Sequence, residues 1–356
     1  MFEIISEGFV CRAPVSCGPR CVVTSSGVVL CVFMAQSKLG INDFVPMLAR
    51  SVDNGVIWSE PVPVFPRSVT DRYSIFCSIG PELFLHGIRT PIDQPGESFW
   101  SDATQGLKQN QLFWSRSLDE GKTWTEPRAI PMDGAGSAEA PCPLTVTRTG
   151  RWIATYSPYN TFNPSEKVDR ERVVIAYSDD QGNSWRHREA LRFPEKDSGG
   201  AEAWTIELSD GRLLTAAWHV DHTGAREYPN AFALSVDGGA TWTATASTGT
   251  LGQSVALAAL PDARALFVYN QRKHGEPGVW IALARPAADS FGIEYNGPAW
   301  RAKVAMQRDR SAGHAGWTDF AFGEPSVALL PDGTLLLTLW CIQPDGSGIR
   351  FVKMRA

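Results

Sequence analysis

The stretch SVDNGVIW, residues 51–58, recurs as SLDEGKTW at 117–124, SDDQGNSW at 178–185 and SVDGGATW at 235–242. All four read Ser-x-Asp-x-Gly-x-x-Trp. Taken alone, such an acidic turn could hold calcium, supply a catalytic carboxylate or close a hairpin. The recurrence decides between these. Asp53, Asp119, Asp180 and Asp237 stand about sixty residues apart, a period that marks a repeated β-blade rather than a unique site.

A second element precedes each turn: two apolar runs joined by a small-residue turn, as in WTIELSDGRLLTAAW (204–218) and SVALLPDGTLLLTLW (326–340). This is the pattern of a two-strand hairpin. Its turn residue falls at Gly27, Gly80, Gly150, Gly211, Ala263 and Gly333, so there are six units. In the fifth the acidic box has decayed to Asp289, with Gly292 displaced and no tryptophan following. The sixth runs out of chain after GIRFVKMRA, and MFEIISEGFV at the other end is the obvious donor of its outer strand. With no helical period of note, the expectation is an all-β, six-bladed β-propeller over residues 1–356, closed by joining the terminal strands. In the boxes, Asp should accept backbone N–H groups, Gly should take a left-handed conformation, and Trp should pack across blades.

The bulk properties agree. The 356 residues are 43% hydrophobic and 20% charged, an ordinary globular balance. A net charge of -5 offers no basic footprint for nucleic acid or an anionic membrane. The first residues lack a basic stretch followed by an apolar run, so a cytoplasmic protein is the default expectation. Seven cysteines without metal-ligand spacing read as buried thiols, the alternative being a reactive thiol at Cys17 or Cys21. Neither a metal nor a cofactor is called for.

Because blade strands alternate up and down, the hairpin turns and boxes share one face and the mouth of the central funnel lies on the other. A ligand site belongs at that mouth. Glu202, Ser254 and Glu324 each lie nine residues before their hairpin turn, which puts two carboxylates at equivalent places in blades 4 and 6. Second strands end with His86, Trp218, His219, Asn270, Arg272 and Trp340, and the following loop of blade 1 carries Asn42 and Asp43. Glu139 and Tyr156 are further members from blade 3. The insertion GIRTPIDQPGESFWSDATQGLKQN (87–110) should overhang the funnel.

Six blades, four intact boxes and AEAWTIELSDGRLL (201–214) together resemble the Asp-box exo-sialidase superfamily over nearly the whole chain. That resemblance implies a tyrosine nucleophile assisted by a glutamate, an aspartate acid/base and three arginines gripping a sugar carboxylate. On this chain the glutamate looks like Glu202, the aspartate like Asp43, and the third arginine like Arg272 of YNQR. Cys17 aligns with the first arginine, with Arg20 as its neighbour; His219 stands at the second, and Glu324 stands where the tyrosine is expected.

On their own chemistry, two glutamates and an aspartate suit glycosidic cleavage of a sialic, uronic or neutral sugar. Glu202, Glu324, Asp43 and His219 are therefore the candidate catalytic residues. Arg272, Arg20, His86, Trp218, Trp340 and Asn270 are the candidate contacts to a carbohydrate substrate. Two other functions fit the pattern: an oligosaccharide lyase with His219 or His86 as base, and a carbohydrate-binding propeller without catalysis.

Overall fold

Each of the six repeats folds as an antiparallel sheet, and the sheets form the blades of a six-bladed β-propeller. The structure is a computed structural model that describes residues 2–65, 71–77, 82–140, 142–308 and 314–355, the side chains of 71–77, 314 and 315 excepted. The blade 2 turn at Gly80 and the Cys77 thiol lie outside the described residues.

From the axis outward, blade 1 runs Ser16–Val23, Val29–Ala35, Val45–Ser51 and Val62–Pro63. Blade 4 runs Ser198–Glu207, Leu213–Asp221, Ala231–Ser235 and Ala246–Ser247, and blade 5 runs Gln253–Ala259, Ala265–Gln271, Gly278–Ala284 and Ile293–Arg301. In blade 3 the inner strand is broken into Ser137–Glu139 and Thr145–Val146. Blade 6 takes Phe322–Leu329, Leu335–Gln343 and Gly346–Arg355 from the C-terminal end and Glu3–Arg12 from the N-terminal end. Antiparallel pairing from Glu3↔Arg355 to Arg12↔Gly348 closes the ring as the sequence predicts. No described helix is long and apolar enough to cross a membrane.

The acidic boxes have the structural jobs expected of them. In the first, the Ser51 hydroxyl donates to Asp53 Oδ1 (2.7 Å) and accepts the Gly55 N–H (2.9 Å), while Asp53 Oδ1 also accepts the Ile57 N–H (2.8 Å). The Trp58 indole N–H then closes on the Gly55 carbonyl at 3.0 Å. The glycine is required twice over at Gly182: its φ is +80°, and a Cβ there would sit 2.7 Å from the Trp114 ring of the preceding blade. Gly55, Gly121 and Gly239 likewise abut Leu336, Leu30 and Ile175, so each box rests on the blade before it. The described hairpin-turn residues Gly27, Gly150, Gly211, Ala263 and Gly333 all have positive φ. In blade 5, where the box has decayed, Gly292 still closes the hairpin by accepting the Arg285 N–H (2.9 Å).

The core lies between blades. One cluster joins Leu30, Val32 and Leu48 of blade 1 to Leu83, Leu85 and Phe113 of blade 2, with Trp124 of the second box packed against it. Burying such side chains stabilises by about 1.5–3 kcal/mol each. Among the described residues six cysteines are free thiols, four of them buried, and burial pushes Cys142 up to about 12.

Candidate functional site

Four inner strands carry the same irregularity at the same register. Pairing slips between Cys17 and Arg20, Ala201 and Trp204, Gln253 and Val255, and Gly323 and Ser326. At each slip one residue is left-handed: Gly18 (φ +58°), Glu202 (+49°), Ser254 (+47°) and Glu324 (+43°). A bulge redirects a side chain, and a non-glycine residue held left-handed costs about 1–3 kcal/mol. Here the bulges bring Glu202 and Glu324 to one pocket.

Neighbouring blades hold the strained glutamates in place. Glu139 of blade 3 accepts the Glu202 N–H at 2.7 Å, and Arg20 of blade 1 donates to the Glu324 carbonyl at 3.2 Å. A Cβ at position 18 would collide with Met34 Cε and sit in ordinary contact, 3.7 Å, with the Glu324 carboxylate, so the bareness of Gly18 makes room for Met34. The Ser254 hydroxyl bonds the Glu202 carboxylate, whose Oε2 is buried without a partner. Burial, reinforced by the charge of Glu324, pushes the Glu202 carboxyl up to about 7. Arg272 completes the floor, donating to the Phe322 carbonyl and to Gln253 Oε1 (3.1 Å) and lying 3.8 Å over the Phe320 ring. Burial lowers its pKa, against the attraction of both glutamates.

The pocket above this floor has a volume of about 120 Å³ and mostly apolar walls. Trp218 and Trp340, both anticipated, line it, as do Glu202, Glu324 and Arg272. Its roof was not anticipated residue by residue: Phe99 and Trp100 come from the insertion, whose strands Trp100–Ser101 and Gly106–Leu107 pair over the funnel mouth. Trp317 comes from the 3₁₀ helix His314–Asp319, and its ring meets Phe99 (5.4 Å) and Trp100 (6.4 Å). The insertion is pinned by Glu97, which pairs with Lys108 and accepts an N–H from Asn42 (2.8 Å). Those bonds overcome burial and hold the Glu97 carboxyl down at about 2.

Five predicted residues lie elsewhere. Asp43 accepts the Ser37 N–H (3.2 Å) within its own loop, and its neighbour Phe44 is the one that lines the pocket. His86 is fully buried, its Nδ1–H donating to the Cys142 carbonyl (2.9 Å), and desolvation pulls it down to about 4. Asn270 is buried within its strand. Arg20 lies below the floor, over the Trp204 ring, beside an axial channel of about 420 Å³. His219 lines a separate cleft and not the pocket, whereas Trp218 lines both.

Blade 3 contributes Tyr159 and Glu139 to the pocket. Tyr156 is instead buried, its hydroxyl oxygen accepting the Asp133 N–H at 2.9 Å. Tyr159 lies three residues further along the same strand, on the opposite parity, and burial beside Glu139 and Glu202 raises its pKa strongly.

Residues 98–307 match the family model of the BNR repeat-like domain, more than half of the chain. The chain belongs to the BNR repeat-like family. Two curated relatives of this BNR repeat-like chain are a sialidase of Bacteroides fragilis (strain YCH46), 25% identical over 268 residues, and an anhydrosialidase of Macrobdella decora, 28% identical over 269. Each alignment covers 69% of this chain, but only 46% and 31% of those proteins, so the chain spans less than half their length. Among solved structures, a protein of unknown function from Dyadobacter fermentans DSM 18053 superimposes with a TM-score of 0.79 over 99% of both chains, at 16% identity. The fold is thus a sialidase-like propeller.

Proposed function

We propose that this chain is a glycoside hydrolase that removes a terminal sugar at the funnel mouth. The observation that carries this reading is the pair of glutamates delivered by equivalent bulges to one pocket, one of them pushed up to about 7. A carboxyl poised near neutrality keeps a proton to give, so Glu202 is the general acid that protonates the leaving oxygen. Glu324 is the carboxylate that attacks the anomeric carbon or activates water, the separation of the two groups deciding which. Trp218 and Trp340 offer apolar faces to the sugar ring. The pocket is of the same scale as the roughly 150 Å³ cavity that holds a benzene ring, room for about one ring below its open mouth.

The sialidase and anhydrosialidase relatives make a sialic acid the first sugar to try. Among the described lining residues Arg272 is the single arginine, and it is already bonded to Phe322 and Gln253. A sugar carboxylate would find a weaker grip than a three-arginine clamp provides, so uronic and neutral glycosides belong in the same panel. The test is turnover of aryl sialosides, glucuronides and neutral glycosides by the native chain and by Glu202→Gln and Glu324→Gln. A loss of about 10²–10⁴-fold in each variant supports the assignment; unchanged turnover in both would sink it.

The lyase reading draws less support, since His86 is buried against the Cys142 carbonyl and His219 lines the adjoining cleft rather than the pocket that holds both glutamates. A carbohydrate-binding propeller without turnover draws support from the position of Asp43 outside the pocket lining, and tight sugar binding with no product on the whole panel would favour it.

A further inference from the structure

Between blades 4 and 5, against the funnel, lies a second cleft of about 40 Å³ lined by Trp218, His219, Glu227, Tyr228, Gln253 and Lys273, among others. Two of these residues tie it to the pocket. Trp218 lines both, and Gln253 receives the Arg272 N–H that stabilises the funnel floor. The cleft also lies on the side of Glu202, because Trp218 is paired directly with Ala201 across the sheet.

Its polar groups are arranged as donors and acceptors around an aromatic wall. His219 is 8% exposed, stacked on Tyr228 (4.2 Å between centroids, 13° between planes), with Nε2 lacking a hydrogen-bond partner and Glu195 Oε2 3.5 Å away. Glu227 is paired with both Lys273 and His274, and Asp221 accepts N–H groups from Thr223 and Arg226. The charged groups of the lining are set against one another, Glu227 with Lys273 and His274, and the Arg226 guanidinium with the Tyr228 hydroxyl and the charges of Asp221 and Glu195, so the cleft presents little net charge to select a charged ligand. An indole wall with neutralised donors and acceptors around it fits an uncharged, hydroxyl-rich ring.

We propose that this cleft is the leaving-group subsite: it receives the edge of a second, uncharged sugar unit, with Trp218 against the ring and His219, Glu227 and Lys273 at its hydroxyls. The inference rests on the glycosidase reading of the funnel and sharpens it, since the substrate becomes a glycan of at least two units. The second unit departs on the side of the acid that protonates it.

The experiment uses the full chain carrying Glu202→Gln, so that sugars bind without turnover. Ligand-observed NMR titrations compare lactose, cellobiose, maltose and N,N′-diacetylchitobiose with galactose, glucose and N-acetylglucosamine. At least one disaccharide should bind about tenfold tighter than either of its units, the worth of one or two net hydrogen bonds. Adding His219→Ala or Lys273→Ala, each checked for an unchanged melting curve, should shrink that ratio severalfold while monosaccharide affinity holds. Absence of any disaccharide preference, a preference that survives both substitutions, or no sugar binding at all overturns the proposal. Turnover of aryl glycosides by the native chain without a disaccharide preference removes the subsite and keeps the hydrolase; a preference without turnover keeps the cleft's contact with a second sugar unit but removes the hydrolase, and with it the leaving-group role.

Discussion

At the box turns the left-handed positions are Asn54–Gly55, Glu120–Gly121, Gln181–Gly182 and Gly238–Gly239, whereas at the funnel floor they are Gly18, Glu202, Ser254 and Glu324. Both sets repeat around the ring at fixed register. The boxes put glycine at the more demanding position and surround each aspartate with donors. Bonds from Ser184 and Ser178 hold Asp180 down at about 2, and bonds from Thr241 and Ser235 do the same for Asp237. At the floor, glutamates occupy two of the four left-handed positions, and Glu202 is pushed the other way, by burial and by Glu324. Asn54, Glu120 and Gln181 are left-handed as well, so what separates the two sets is the carboxylate's surroundings: one ringed by donors marks scaffold, and one buried beside a second carboxylate marks the site.

The largest test of that contrast is Glu324→Gly. Glycine relieves the left-handed strain, so the variant should gain about 1 kcal/mol or more in stability while losing about 10²–10⁴-fold in turnover. Chemical denaturation and the aryl glycoside assay read the two effects. A variant both less stable and fully active would erase the distinction between floor and box.

The two carboxylate sets also pull stability in opposite directions with pH. The folded-state pKa of Glu202 lies above its unfolded value, so its contribution is fully present below about 4.5 and is lost as pH rises toward about 7. For Asp180 and Asp237 the folded pKa is depressed, so their contribution is present above about 4 and lost as pH falls toward about 2. Glu202→Gln should flatten the first slope and Asp180→Asn the second, measured as melting temperature against pH. Glu324→Gln should also move the basic limb of any Glu202-dependent activity profile to lower pH, because it removes a charge that raises Glu202.

The fold and the floor were legible because both are tied to the repeat. Counting nine residues back from the turn residues Gly211, Ala263 and Gly333 finds Glu202, Ser254 and Glu324, and the same count from Gly27 reaches Gly18. What escaped depends on parity or on segments outside the repeat. The choice of Tyr156 over Tyr159 turned on which side of the strand meets the pocket. Phe99, Trp100 and Trp317 come from an insertion and a short helix that have no counterpart among the described residues of the other blades. The aromatic roof therefore has no register from which to be read.

On the scaffold side, Gly182→Ala should cost about 1–3 kcal/mol, since it adds a left-handed alanine and presses a methyl against Trp114. Asp53→Ala should lower the melting temperature through the loss of its turn bonds. Neither should alter sugar affinity in the folded protein, as a binding titration would show. A loss of affinity from Asp53→Ala in a fully folded sample would mean that the boxes serve the ligand after all.

The smallest effect sits where the repeat itself deviates. Blade 5 places Ala263 at the hairpin turn, with φ +64°, where the other described turns have glycine. Nothing at this position touches the funnel: its N–H donates to the Ser209 hydroxyl of blade 4's turn (2.7 Å), on the face of the boxes. Relief of the Cβ strain outweighs the extra backbone freedom that glycine brings to the unfolded chain, so Ala263→Gly should stabilise by about 0.5–1 kcal/mol. Turnover and sugar affinity should stay at native values, in contrast to Glu324→Gly, where the same removal of a left-handed side chain eliminates function. The strain at Ala263 is then incidental to the blade and the strain at Glu324 is part of the site. Equal functional losses at the two positions would show that left-handed strain by itself does not tell them apart.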